Sequence, residues 1–93
     1  MYQIAYAQSA RRALKRLRRS GSFQEAVFKE VLALFICGKS LPIYFKDHAL
    51  HGSFVGYREC HLGFNLLLLY ERDDALRIIT IANIGTHPEL FGE

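Results

Sequence analysis

The sequence predicts an α+β domain in which an N-terminal strand and a two-helix hairpin pack on a small, mostly antiparallel sheet, with a short C-terminal helix. Three observations carry that expectation. Residues Tyr2 to Tyr6 alternate with the period of a strand; two stretches of helical periodicity follow, divided by Gly21; and from Phe54 onward apolar runs are separated by turn residues. With 93 residues, 51% of them apolar, the chain has material for one core, so residues 1–93 are read as a single domain.

Tyr2, Ile4 and Tyr6 alternate with Gln3 and Ala5, as in a half-buried strand that joins the sheet. Ser9 is a suitable N-cap for a first helix, along which Ala10, Ala13, Leu14 and Leu17 recur at helical spacing. Arg11, Arg12, Lys15, Arg16, Arg18 and Arg19 fill the positions between, which makes the helix amphipathic and strongly basic. Gly21 ends it. Ser22 and Glu25 have the spacing of a capping box, opening a second helix over Phe23 to Cys37 that Gly38 closes. This helix is apolar around most of its circumference and is expected to lie between the first helix and the sheet.

After Leu41-Pro42, Ile43 to Phe45 reads as a short edge strand and Asp47 to Ser53 as loop. Strands are expected at Phe54–His61, Asn65–Tyr70 and Ala75–Ala82, with Asp73-Asp74 marking a tight hairpin between the last two. Leu66 to Leu69 followed by Tyr70 is apolar at every position, the pattern of a strand buried on both faces in the middle of a sheet. Thr86 to Phe91, with Pro88 at an early position, gives the closing turn of helix.

The formal net charge of +3 is unevenly divided, residues 1–46 summing to +7 and residues 47–93 to −4. A basic half points to a polyanionic partner, nucleic acid or an acidic polypeptide; the plainer alternative is a solvated helix face that binds nothing. No apolar run approaches the roughly 18–20 residues of a membrane span, and the N-terminus lacks a charged stretch leading into an apolar one, so a cytoplasmic protein without membrane attachment is expected. Cys37 and Cys60, one in a helical and one in a strand pattern, fit reduced thiols. Zinc-ligand spacing, a Gly-rich phosphate loop and a dinucleotide fingerprint are all lacking, so neither metal nor cofactor is expected.

Four segments carry a family likeness: Tyr44–Gly52 with its Lys46-Asp47-His48, Gly56–His61 with its Arg58-Glu59-Cys60-His61, Leu67–Tyr70, and the closing Gly85–Phe91. In their order the chain resembles the YafQ branch of the RelE/ParE toxin superfamily over essentially its whole length. The resemblance implies the RelE-like fold and a type II toxin–antitoxin toxin: a ribosome-dependent messenger-RNA endonuclease, or mRNA interferase, acting in the ribosomal A site and inhibiting translation. It also implies a co-expressed antitoxin, commonly with a ribbon-helix-helix DNA-binding half. Carried onto matching positions, it implies catalytic roles for His48, His61, His87 and Phe91. Three positions depart from the pattern: Asn65-Leu66 stands where Asp-Trp is usual, and Asn83 where an arginine is usual. These departures keep two rivals open, a catalytically impaired relative that still binds antitoxin or ribosome, and a gyrase inhibitor like the ParE side of the superfamily.

RNA cleavage without a metal uses the neighbouring 2′-hydroxyl as nucleophile. The protein must remove that proton, give one to the leaving oxygen and stabilise the charged phosphorane. Imidazoles titrate near neutrality and suit the first two tasks, with His87 as general acid and His48 or His61 as base or phosphate contact. A phosphorane favours arginine, whereas Asn83 offers an uncharged amide; removing one transition-state donor commonly lowers rates by roughly 10²–10³-fold. Lys46, Arg58 and Arg72 are the candidates to compensate, although strand alternation sets Arg58 opposite His61. Asn65 can hydrogen-bond but cannot act as a carboxylate base. Phe91 and Tyr57 suit stacking on unpaired bases, and the Arg11–Arg19 helix face together with Lys46 suits RNA or ribosomal phosphates. His51 reads as a polar loop residue. Cys60 is a weak candidate for a thiol nucleophile, because adjacent strand residues point to opposite faces.

Overall fold

The structure is a computed structural model, and it describes residues 1–92. Along the chain run β1 (Gln3–Tyr6), α1 (Gln8–Ser20), α2 (Glu25–Ile36), β2 (His48–Ala49), β3 (Arg58–Gly63), β4 (Leu66–Asp73), β5 (Ile78–Gly85) and α3 (His87–Phe91). Two 3₁₀ turns, Ile43–Phe45 and Gly52–Phe54, flank β2. The five strands form one sheet in the order β1-β5-β4-β3-β2. β1 pairs in parallel with β5, from Gln3 against Ile78 to Tyr6 against Ile81, and every other pairing is antiparallel.

Burial follows the periodicities of the sequence. Ala10, Ala13 and Leu14 of α1 and Phe28, Val31 and Phe35 of α2 share one core with Cys60 and Leu62 of β3, Leu68 and Tyr70 of β4, and Ile79, Ile81 and Ile84 of β5. Leu67 and Leu69 are buried too, outside that cluster, so β4 is covered on both faces as its unbroken apolar run predicts. The second helix does not lie between the first helix and the sheet. Both rest on the sheet: α1 packs on β5, where Ala10 and Ala13 permit close approach, and Phe35 of α2 meets the Tyr70 ring of β4 at 4.5 Å between centroids.

Several local expectations are corrected. Ser9 sits inside α1, whose N-cap is Ala7, and its hydroxyl donates instead to the Ala82 carbonyl at 2.6 Å. Ser22 and Glu25 form no capping box, because Arg18 donates to the Glu25 carboxylate and draws it away; α2 begins at Glu25 with Gln24 as N-cap. Ile43–Phe45 coils into a 3₁₀ turn behind Pro42, and the edge strand is His48–Ala49, within the stretch expected to be loop. β3 begins at Arg58 rather than Phe54, because Gly52–Phe54 is turned. β4 runs on to Asp73 and β5 begins at Ile78, the Asp73 carboxylate accepting from the Leu76 N–H at 2.9 Å in the turn between them.

Two backbone details shape the end of α2 and the course of β5. Gly38, with φ +69, turns the chain out of α2 where a Cβ would come within 2.9 Å of the Tyr2 ring, so a larger residue here would displace that ring. Between Leu69 paired with Asn83 and Tyr70 paired with Ile81, the register slips and leaves Ala82 as a bulge. The bulge lets Ile81 and Ile84 both enter the core and sends Asn83 to the other side, beside Leu69.

Candidate active site

Alternation along β3 places Cys60 and Leu62 in the helix-side core and turns Glu59 and His61 away from it. Across the sheet, His48 partners Glu59, Glu59 partners Leu69, and Leu69 partners Asn83. In the next row His61 partners Leu67 and Leu67 partners Gly85, just ahead of His87 at the start of α3. With strands about 4.8 Å apart, His61 and Gly85 are separated by roughly 10 Å.

Glu59 is the centre of the first row. It is only 6% exposed, yet ionisable. His48 Nε2 and His61 Nε2 each lie 3.7 Å from its Oε1, too far for a direct hydrogen bond and close enough for strong electrostatic contact. The two imidazoles are the polar partners that the fold sets against this carboxylate, whose strand face excludes water. His48 Nδ1 lies 2.7 Å from the Lys46 carbonyl oxygen. That oxygen only accepts, so Nδ1 carries the hydrogen between them and Nε2 faces Glu59.

A second cluster is aromatic. Phe54 meets Tyr57 at 6.5 Å and Phe91 edge-on at 4.9 Å, and Phe91 lies 4.8 Å from the His87 ring. α3, of 5 residues, is too short to hold itself. A capping box holds it: the Thr86 hydroxyl accepts from the Glu89 N–H at 3.4 Å and the Glu89 carboxylate accepts from the Thr86 N–H at 2.7 Å. The hydrogen bond from the Thr86 backbone keeps the Glu89 carboxyl below its ordinary range, helped by the Thr86 side chain and by Arg16 of α1, 3.7 Å away.

The fold therefore brings His48 and His61 together on Glu59, and His87 and Phe91 together on α3. Asn65 stands apart, exposed in the turn between β3 and β4, while Leu66 packs at the margin of the core. Asn83 is half-buried and its side-chain oxygen accepts from the Ile84 N–H at 2.9 Å, stabilising the bulge. Arg58 turns to Asp47 at 3.2 Å, whose carboxylate also accepts from the Tyr70 hydroxyl at 2.6 Å. Arg72 pairs with Asp74 at 2.6 Å and lies over the Tyr2 ring. Of the three cations considered as substitutes for the missing arginine, only Lys46 shares a hollow with His61. Cys60 is fully buried, and burial pushes its thiol up to about 12, so it is no nucleophile. His51 is exposed at the 3₁₀ turn.

Arg11, Arg12, Lys15, Arg16, Arg18 and Arg19 are all exposed along α1. Four of them, Arg11, Lys15, Arg18 and Arg19, line a surface groove of about 660 Å³ with Tyr6 and Leu14. Among the described residues, no group of three or more His, Cys, Asp or Glu side chains is arranged to hold a metal ion, and no helix is long and apolar enough to cross a membrane. The residue that sequence reasoning passed over is Glu59. Its signal was present: a carboxylate two positions before His61 on a strand must share its face.

Solved structures of the same shape include bacterial toxins. A metal-bound toxin from Helicobacter pylori is 30% identical with a TM-score of 0.89, over 98% of this chain and 100% of that one. YafQ from Escherichia coli strain BL21(DE3) is 27% identical with a TM-score of 0.87, over 99% and 100%. YafQ in its E. coli complex with DinJ is 29% identical with a TM-score of 0.84, over 99% and 100%. The five-stranded sheet with its helices and this match in shape define a small α+β protein of RelE-like fold. The chain belongs to the YafQ family, bacterial toxins of type II toxin–antitoxin systems, whose profile matches residues 2–92. Among curated relatives, the mRNA interferase toxin YafQ of E. coli K12 is 40% identical over 52 residues, 56% of this chain and 54% of that protein; the match spans about half the length of such relatives.

Proposed function

We propose that this chain is an endoribonuclease that cuts messenger RNA on the ribosome, inhibits translation and is silenced by a co-expressed antitoxin. The observation that carries this reading is the pair of imidazoles held by one buried carboxylate, in the row next to His87. His61 or His48, through Nε2, takes the proton of the 2′-hydroxyl, and Glu59 stabilises the imidazolium that results. The 2′-oxygen attacks phosphorus, the bond to the 5′-oxygen breaks, and His87 gives that oxygen its proton, leaving a 2′,3′-cyclic phosphate. Lys46 supplies charge to the phosphate and Phe91, with Phe54 and Tyr57 behind it, stacks on a base. The Arg11–Arg19 face holds ribosomal RNA, and the enzyme works in the cytoplasm, where translation occurs.

The related YafQ is solved in complex with DinJ, which supports a protein antitoxin for this chain; the basic α1 favours an acidic segment in it, and the ribbon-helix-helix type follows from the family resemblance. A specific observation favours a second reading, the impaired toxin: Asn83 spends its side-chain oxygen on the Ile84 N–H and brings no charge to the row. Primer extension on translated messages after induction separates the two. Codon-phased cuts that vanish in His87→Ala support the nuclease; ribosome binding without cuts supports the impaired form. The gyrase-directed alternative gives the histidine pair no task.

A further inference from the structure

β2 pairs only with Arg58 and Glu59, so beyond Glu59 the outer edge of β3 is open. Beside that edge a hollow of about 440 Å³ is lined by Tyr44, Lys46, His61 and Phe64 and, from α2, by Val27 and Glu30. Tyr44 is 65% exposed and Phe64 105%, although rings held in water are disfavoured unless something covers them. The Tyr44 ring is not loose. Its hydroxyl donates to Glu30 Oε2 at 2.8 Å, and the ring rests 4.6 Å from that of Phe45, a member of the core. Lys46 is exposed and forms no ion pair among the described residues.

We infer that this hollow is a nucleobase subsite, in which an unpaired base next to the cleaved phosphate stacks between Tyr44 and Phe64. The inference rests on the RNA-cleaving reading above and adds to it a determinant of sequence preference. His61 belongs both to the hollow and to the row of Glu59, so a phosphate held at His61 has its neighbouring nucleotide at the hollow. An ammonium beside two rings is complementary to a phosphate beside a flat base, and stacking alone accepts any base. Discrimination comes from Glu30. One of its oxygens takes the Tyr44 hydroxyl, and the other can accept from an exocyclic amine, which adenine, cytosine and guanine carry and uracil lacks.

Two measurements on the full chain test this. In primer extension on translated messages, the parent disfavours uracil at one position flanking the cut; Glu30→Gln and Tyr44→Ala weaken that bias, and Tyr44→Phe retains stacking. In a His87→Ala background, a short single-stranded RNA carrying 2-aminopurine at low salt is quenched on binding, and Tyr44→Ala or Phe64→Ala weakens binding about tenfold, as for loss of one stacked base. Phe64 is fully exposed in a turn, so its replacement leaves the core intact. Equal quenching and affinity in parent and both ring variants overturn the subsite whether or not the protein cuts RNA. Quenching that depends on Tyr44 in a protein that makes no cuts upholds the subsite and removes the cleavage reading. Ring variants that lose antitoxin affinity alone, with RNA quenching unchanged, assign the surface to a protein partner and overturn the inference.

Discussion

Glu59 has two imidazoles at 3.7 Å and almost no solvent, so its charge matters more than its shape. Glu59→Gln keeps the outline and removes the charge that supports an imidazolium. Cleavage measured by primer extension is expected to fall by roughly 10²-fold while the fold is kept, because the side-chain shape is unchanged. Asn83→Arg is expected to act in the opposite direction, raising cleavage about tenfold or more by bringing fixed charge to the same row, and His87→Ala in that background abolishes the gain. The change gives up the hydrogen bond to Ile84, a cost of about 1 kcal/mol visible in a melt. The histidines drew attention one by one, from their segments, and the fold sets two of them on one carboxylate. Glu59 could be placed on the strand face of His61 by its spacing, but its burial could not be read, because the covering comes from residues distant in the chain.

At the scale of elements, α3 is a helix whose existence depends on one carboxylate. Glu89 has its folded-state value depressed by the Thr86 backbone, so the stabilisation it gives is complete above the ordinary glutamate value of 4.5 and is lost as pH falls through the lower folded value. Amide exchange at Leu90 and Gly92, whose N–H groups donate within α3, should accelerate in that acid range ahead of exchange in β4. At neutral pH, Glu89→Ala should produce the same fraying, lowering cleavage severalfold through displacement of His87 and Phe91 with little change in global melting. The apolar runs made β4, β5 and both long helices readable, since burial on that scale is written in composition. Short pieces escaped. The edge strand of 2 residues at His48 and the 3₁₀ turns on either side have no period long enough to detect, and Glu25 prefers Arg18 to its own helix end for reasons that lie in another element.

Over the whole molecule, charge is the long-range variable. Changing Arg12, Arg16 and Arg19 to Glu should weaken binding to ribosomal particles at low salt and flatten its salt dependence, measured by sedimentation across a salt series. A partner that binds only the native state should raise the melting temperature with its excess, and the product of an adjacent acidic gene is the one to titrate. The +7 of residues 1–46 against −4 for the remainder was readable without any fold; that α1 lies directly on β5 was not, because its alanines say only that something comes close.

The parallel pairing of β1 with β5 also sets a schedule. Gln3 is made well before the strand that must receive it, around Ile78. α1 waits for the same strand. Until β5 emerges, neither the first strand nor the basic helix has its seat, and the row that ends at Asn83 is incomplete. A chain that stops short of β5 therefore lacks the row on which the proposed chemistry depends.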